Sequence, residues 1–345
     1  MILILSHEHI DEPTNTIIDW LSFYNARFLR LNGDDFLQNK YVKIDINNTT
    51  VITNYGQVIN SNEISIVWYR RWIKPTEKKT FFEKFKQLNF TNEEALLVET
   101  YDKYLQKEST TYVNGIFSVF KDKLWIPKPS KARGNINKLD VLLRAKDIGM
   151  KIPNTIVTSS KKEVALFLKA NGSIITKPIY EANCFDYKGE SAPMYTKEVS
   201  ENDVKAFPQL FFPSLFQKKI DKQFEIRTFI HRNKVYSMAM FSQNDVQTSI
   251  DFRNYNWVKP NRYVPFKLPQ KEEEKLLKLL NDLDLNTGSI DLIYDDKGNY
   301  VFLEINPVGQ FGMVSINCNY NLEKIIANDL IALSNEQKRT DERDN

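Results

Sequence analysis

The stretch SIDLIYDDKGNYVFLEINPVGQFGM, running from Ser289 to Met313, decides how this chain is read. Two runs with strand character, SIDLIY and NYVFLEIN, flank Asp296, Lys297 and Gly298, which have turn composition. The segment therefore reads as a β-hairpin. Its second strand begins with Val301, Phe302 and Leu303 and then sets Glu304 and Asn306 at its end. Residues two apart on a strand share a face, so these two side chains point the same way. If Tyr294 pairs with Asn299, Asp291 falls opposite Phe302 and lies diagonal to Glu304, about 7–8 Å away between backbones. A slip of one residue would turn Asp291 to the other face, so the convergence of the three depends on that register.

Two carboxylates and an amide oxygen on one face suit Mg²⁺. It is a hard, octahedral ion that binds through one or two carboxylates together with substrate phosphates. The competing reading is a polar strand end carrying surface acids.

The composition limits the other function classes. At 345 residues the chain is long for one core and suggests two or three domains. Lys and Arg number 47 against 44 acids, a balance that excludes a nucleic-acid binder driven by bulk charge. Cys184 and Cys318 are the only cysteines and do not form a close zinc-type pair. Few cysteines and no secretory leader point to the cytoplasm. The apolar start MILIL is followed at once by His7, Glu8 and Asp11, too soon for a membrane span of about 20 residues. There is no GxxxxGK[ST], no GxGxxG after the first strand and no GxSxG. His7 and His9 read as exposed rather than as metal ligands.

Along the chain, MILILS, ARFLRLN, VKIDIN, TVITNYG and SIVWYRR read as strands and TNTIIDWLSFYN as a helix. TNEEALLVETYDKYLQKEST is a helix with a capping box formed by Thr91 and Glu94. This alternation predicts an α/β domain over residues 1–125. Pro127, Pro129 and Gly134 mark a boundary. Beyond it, NKLDVLLRAKDIG is a helix closed by Gly149, and SKKEVALFLKAN a helix begun by Ser160 and ended by Gly172. IPNTIVTSS and SIITKPI are strands, and YEANCFDYKGESAPM has the composition of a flexible loop. SLFQKKI, FEIRTFIHRN and KVYSMAMFSQ read as successive antiparallel strands. Two more helices follow, KEEEKLLKLLNDLD and NLEKIIANDLIALSNEQ. The expected division is 1–125, 126–205, 206–334 and a frayed tail at 335–345.

Several cations are candidates for anion binding. Lys177 sits at a strand end, where it could meet phosphate oxygens as a point charge, or simply discourage edge pairing. Lys138 opens a helix, where the dipole also favours anions, although on its own it fits an exposed helix lysine. Arg227 shares a strand face with Glu225, which fits either a surface ion pair or a guanidinium holding a carboxylate or a charged intermediate. Asp251 and Arg253 form a second such pair, and VWYRRW sets Arg70 and Arg71 between aromatics. That could be an interface or an RNA-stacking surface, but no further basic–aromatic interleaving supports RNA.

Taken in order, Lys138 at a helix start, ITKP, FQKKIDKQFEIR, SIDLIY and FLEINPVGQFG are similar to the ATP-grasp ligases. FQKKI with FEIRTFI, DFR and LEINPVGQF resemble the graspetide synthetases, the microviridin-type peptide maturases. The ending GQFGMVSINCNYNLEKIIANDLI is similar to the maturases of grasp-with-spasm systems. The resemblance covers most of the chain. It implies an α/β (α+β) protein of ATP-grasp fold, with an N-terminal pre-ATP-grasp domain followed by central and C-terminal ATP-grasp subdomains.

The resemblance also implies an activity. ATP, with Mg²⁺, would activate Asp or Glu side chains of a ribosomal precursor peptide, recognised through leader and core, for closure of macrolactone or macrolactam crosslinks. Lys138 and Lys177 would bind phosphates. Gln217, Lys218 and the Lys219–Ile220 backbone would face adenine, and Asp291, Glu304 and Asn306 would hold magnesium. Arg227 would steady the transferring group, and Arg253, with Glu225 and Asp251, the acceptor pocket, while Arg70 and Arg71 would handle peptide. Residues 180–197, with Asp186, Lys188 and Glu190, would close over the nucleotide. The resemblance implies a homodimer, action beside a radical SAM/SPASM protein, and neither nucleic-acid nor membrane partners. Two other functions share these motifs. One is an ATP-grasp ligase adding glutamate or another amino acid to a protein or small acid, and the other an inactive peptide-binding module.

Overall fold

The computed structural model describes residues 1–7, 12–33, 43–52, 58–70, 72, 91–128, 136–180, 184–187, 190–243, 245–252, 254 and 256–341. They group into two compact units, Met1–Pro129 with Asn321–Asn345, and Ser130–Tyr320.

The first unit contains β1 (Ile2–Ser6), α1 (Glu12–Phe23), β2 (Phe28–Asn32), β3 (Lys43–Asp45), β4 (Thr50–Ile52), β5 (Val58–Asn60), β6 (Ile66–Tyr69), α2 (Asn92–Val119) and β7 (Leu124–Ile126). Its main sheet has the order β2-β1-β6-β7 and is parallel throughout. Ile2, Leu3, Ile4 and Leu5 are all buried, as expected for a parallel strand covered on both faces. β3, β4 and β5 form a separate antiparallel ribbon. The Thr91–Glu94 capping box starts α2. β7 is the fourth strand of the main sheet, so a boundary at residue 125 would cut through it.

The second unit holds α3 (Lys138–Asp147), β8 (Thr155–Ser160), α4 (Lys161–Asn171), β9 (Ile174–Lys177), β10 (Cys184–Tyr187), β11 (Glu190–Pro193), β12 (Lys197–Val199), α5 (Glu201–Ala206), β13 (Leu210–Lys218), β14 (Lys222–His231), β15 (Lys234–Phe241), β16 (Arg262–Phe266), α6 (Gln270–Asp282), β17 (Thr287–Asp295), β18 (Tyr300–Asn306) and α7 (Gly312–Cys318). Two antiparallel sheets organise it, β12-β9-β13-β8 and β16-β15-β14-β17-β18. The successive-strand reading of 214–243 is corrected here. β13 belongs to the first sheet and β14 to the second, so the chain changes sheets at Lys219–Asp221. Alternation alone looks the same on either side of such a change.

Each sheet has its own helical layer. Val164 of α4 and Val204 of α5 bury Ile174, Val199 and Phe216. Val141, Leu142 and Ala145 of α3, with Leu276, Leu279 and Leu280 of α6, cover Ile226, Ile230, Ile290, Leu292 and Phe302. Each of the three α6 leucines contributes about 1.5–3 kcal/mol by full burial. One face of the five-stranded sheet is thereby committed to core, leaving Glu225 and Arg227 on the other.

The stretch read as a flexible loop contains β10 and β11, which pair antiparallel with Tyr187 opposite Glu190. In sequence a Lys-Gly pair separates them, the spacing of a two-residue hairpin link. The last helix, α8 (Leu322–Asp341), also departs from expectation. It runs into the segment expected to fray, and it joins the first unit rather than the 206–334 subdomain. There the Lys324 ammonium lies 5.1 Å from the Trp20 ring and the Ser334 hydroxyl 2.7 Å from that of Ser65.

The β17–β18 turn is closed by Asp295. Its Oδ1 accepts the Lys297 and Asn299 backbone N–H groups at 3.0 and 2.7 Å, and its Oδ2 accepts the Asn299 amide at 2.9 Å. Burial pushes this carboxyl up, but the Asn299 and Lys297 hydrogen bonds outweigh it and hold the group below the usual range. Asp295→Ala should cost about 1–3 kcal/mol, measured by denaturant midpoint. A carboxyl with a depressed folded-state pKa stabilises above its unfolded value and loses that contribution as pH falls through the folded one. The stability gap between wild type and variant should therefore close on acidification.

Candidate functional site

Arg227, Asp291 and Glu304 form one row across β14, β17 and β18, with Arg227 opposite Asp291 and Asp291 opposite Glu304. This differs from the diagonal arrangement expected from sequence. Tyr294 pairs with Tyr300, and Leu292 rather than Asp291 lies opposite Phe302. Continued unbroken, that register would set Asp291 against Leu303 and turn Glu304 to the other face. A bulge between Asp291 and Leu292 skips Leu303 and returns Glu304 to the face of Asp291. Asn306, two residues on, shares the face of Glu304 and pairs with Ser289 in the next row.

Three cations meet these carboxylates. Arg227 Nη1 donates to both oxygens of Asp291 at 3.0 Å, and both side chains are largely buried. Lys138, at the start of α3, lies 3.6 Å from Glu304 Oε2, and Lys177, at the end of β9, lies 3.9 Å from the same atom. The lysine distances exceed those of a good hydrogen bond, so these pairs are loose enough to exchange for a phosphate oxygen. Three cations against two carboxylates leave one positive charge in excess, which suits a polyanion with a divalent ion.

Glu225 does not pair with Arg227. Its Oε1 accepts from Lys222 Nζ at 2.5 Å and from Ser242 Oγ at 2.6 Å, all in a buried setting. Sequence reasoning missed Lys222 and Ser242. Lys222 stands only three residues from Glu225, but nothing in the pattern distinguishes it from a solvated lysine. Asp251 is buried, and its Oδ2 accepts the Thr196 backbone N–H at 3.2 Å, just before β12. Arg253, Arg71, Lys188 and His9 lie outside the described residues, as do the side chains of Asp186 and Glu190. Arg70 belongs to the first unit, nearly buried, with its guanidinium 5.3 Å from the Trp68 ring centre.

The FQKKI segment ends β13 and enters the turn between the two sheets of this unit. The backbone N–H groups of Lys218 and Lys219 are bonded to the Asn154 and Ser173 carbonyls, both at 2.9 Å. The Lys219 ammonium binds Glu198 at 2.7 Å and, with the Ser173 hydroxyl, holds that carboxyl below its usual range. Gln217 is fully buried from solvent.

A cleft of about 190 Å³ in the second unit is lined by Gln217, Ile220, Lys177, Arg227, Asp291 and Glu304 among others. Among the described residues no group of three or more His, Cys, Asp and Glu side chains is placed to hold a metal. The donor set here is instead two facing carboxylates and an amide on one strand face. It is all oxygen, and its chemistry fits Mg²⁺ shared with phosphates. The loop after Asn306 is fixed by Gly309, whose φ is +69°. A Cβ there would stand 2.9 Å from Phe229 Cε2, so only glycine fits this turn over Phe229 and Phe311.

Comparison with known proteins agrees with this architecture. Residues 1–133 match the family model described as MvdD pre-ATP grasp domain. The macrocyclase MdnC of Microcystis aeruginosa MRC, solved with precursor peptide MdnA, superposes with a TM-score of 0.77 at 23% identity, covering 96% of this chain and 99% of that one. A RiPP-associated ATP-grasp ligase of Chryseobacterium gregarium, in complex with ADP and a leader and core peptide, gives 0.77 at 24% identity, covering 97% and 96%. The ATP-grasp ligase PsnB, complexed with minimal precursor, Mg and ADP, gives 0.74 at 16% identity, covering 96% and 97%. A Methanocaldococcus jannaschii protein described as uncharacterized protein MJ0776 is 24% identical over 214 residues. Those residues are 59% of this chain and 49% of that protein, so the chain spans about half the length of the curated relative it matches. The chain therefore has the ATP-grasp fold, and its first 133 residues match the MvdD type of pre-ATP-grasp domain.

Proposed function

We propose that this chain is an ADP-forming ligase that activates Asp or Glu side chains of a ribosomal precursor peptide and closes side-chain ester or amide crosslinks. The observation that carries the proposal is the Arg227–Asp291–Glu304 row, with Lys138 and Lys177 converging on Glu304. Solved neighbours that hold ADP, Mg and precursor peptides support it.

A substrate carboxylate oxygen attacks the γ-phosphorus of ATP, ADP leaves, and an acyl phosphate forms. A Ser or Thr hydroxyl, or a Lys amine, then attacks the acyl carbon and loses its proton as phosphate departs. Lys138 and Lys177 are the phosphate-binding cations. Arg227 offsets the charge on the transferring group in a desolvated position, where such contacts act most strongly. Asp291, Glu304 and Asn306 would hold Mg²⁺, which supplies positive charge against the phosphate oxygens when bound. The β10–β11 ribbon keeps water from the acyl phosphate. Asp251 and Glu225 belong to the acceptor side, with Arg253, and Arg70 and Arg71 to peptide handling.

The partner is a peptide with leader and core. A homodimer and a radical SAM/SPASM companion are the further partners that the sequence resemblance implies. Among the described residues no helix is long and apolar enough to cross a membrane. We place the reaction in the cytoplasm, where ATP and newly made peptide meet.

Mass spectrometry of a Ser/Thr- and Asp/Glu-rich peptide encoded beside the gene tests the proposal. The expected result is ATP-dependent loss of one water per ring. A gain in mass would indicate an amino-acid ligase instead, and no change with no ADP formed would contradict the proposal.

A further inference from the structure

Gln217 carries an unusual buried acceptor. The residue is 0% exposed, it lines the cleft, and its Oε1 has no hydrogen-bond partner among the described residues. Leaving such an atom unmet is costly, which suggests a ligand donor at this position. The orientation of the amide is dictated by its neighbour. Thr155, directly opposite on β8, donates its hydroxyl proton to the Pro153 carbonyl at 2.8 Å. With that proton committed, Thr155 Oγ1 can only accept, and it does so from Gln217 Nε2 at 2.9 Å. A flipped amide would set oxygen against oxygen. The chain Pro153–Thr155–Gln217 therefore fixes Oε1 as the end of the amide turned away from Thr155, on the sheet face that Gln217 shares with Ile175 and Lys177, which line the cleft with it.

We propose that Thr155 is a positioning residue for nucleobase selection. By locking the Gln217 amide, it presents an acceptor to a purine bearing an exocyclic amine and rejects one bearing a carbonyl there. This rests on the nucleotide reading of the cleft proposed above. The neighbouring Lys218 and Lys219 N–H groups are occupied by backbone carbonyls, so they do not supply competing donors that would welcome a carbonyl purine.

The test is calorimetric titration of the full chain with ADP, IDP and GDP in the presence of Mg²⁺. The wild type should bind ADP about 10- to 100-fold more tightly than IDP, the range set by one unmet buried polar group. Thr155→Val removes the acceptor that orients the amide, which can then turn to suit either base. Discrimination should fall to about threefold or less. Thr155→Ser restores the hydroxyl and should restore discrimination. If the valine variant fails to fold, Thr155→Ala, which also lacks the hydroxyl, carries the same test. Equal binding of ADP and IDP by wild type overturns this inference while leaving the nucleotide site standing. A folded valine variant that discriminates like wild type overturns the role of Thr155. Failure of wild type to bind ADP overturns the nucleotide reading and this inference with it.

Discussion

Asp291→Asn and Glu304→Ala should each lower ATP-dependent peptide modification by about 10²–10³-fold or more. Asp291 is the more demanding case, because its carboxylate also neutralises the largely buried Arg227. Removing it outright would strand a buried cation at a cost of about 3–5 kcal/mol, and loss of activity could then reflect loss of fold. Asparagine keeps an oxygen able to accept from Arg227 Nη1 while deleting the charge. The variant should stay folded with a lowered melting temperature, bind Mn²⁺ with ADP far more weakly, and form little product. Glu304 is less buried than Asp291, with 32% against 15% of its side chain exposed, and its two lysines stand 3.6 and 3.9 Å away. Full peptide modification by either folded variant would refute the assignment of these carboxylates.

Arg227→Lys should cut turnover about 10- to 100-fold and Arg227→Ala about 10²–10³-fold, with a smaller effect on nucleotide affinity. Arg227 reaches both Asp291 oxygens from one guanidinium nitrogen and lies at the β14 end of the row. A lysine keeps the charge but not the planar fork, and its ammonium is harder to desolvate. If Arg227 acts on the transferring group, the loss appears in kcat, whereas a ground-state phosphate contact would raise KM instead. Steady-state kinetics on ATP at saturating peptide separate these outcomes. An unchanged kcat for the alanine variant would remove Arg227 from the chemical step.

Much of this site was legible because its parts are local. Asp296, Lys297 and Gly298 announce the turn, and the two-residue period sets Glu304 and Asn306 on one face. The register was not legible. The bulge that skips Leu303 has no local signature, since Leu303 is as strand-competent as its neighbours, and only pairing with β17 reveals it. The partner of Arg227 was missed for a similar reason. Glu225 is its neighbour in sequence, but Asp291, more than sixty residues away, is its neighbour across the sheet. The change of sheet at Lys219–Asp221 leaves alternation intact on both sides. The last helix shows a clear apolar stripe, yet nothing in it points to Trp20 and Ser65 as the residues it meets. Thr155 gave no sequence signal either, because its role depends on Gln217 lying opposite it on the next strand.

The most direct measurement follows one oxygen atom. Peptide carrying oxygen-18 in its Asp and Glu side-chain carboxylates is incubated with the enzyme, ATP and Mg²⁺, and the released phosphate is analysed by mass. Activation through an acyl phosphate transfers one labelled oxygen to phosphate for every ring closed. Ring closure with unlabelled phosphate would mean that the carboxylate never attacks the γ-phosphorus, and the chemistry assigned to this cleft would be wrong.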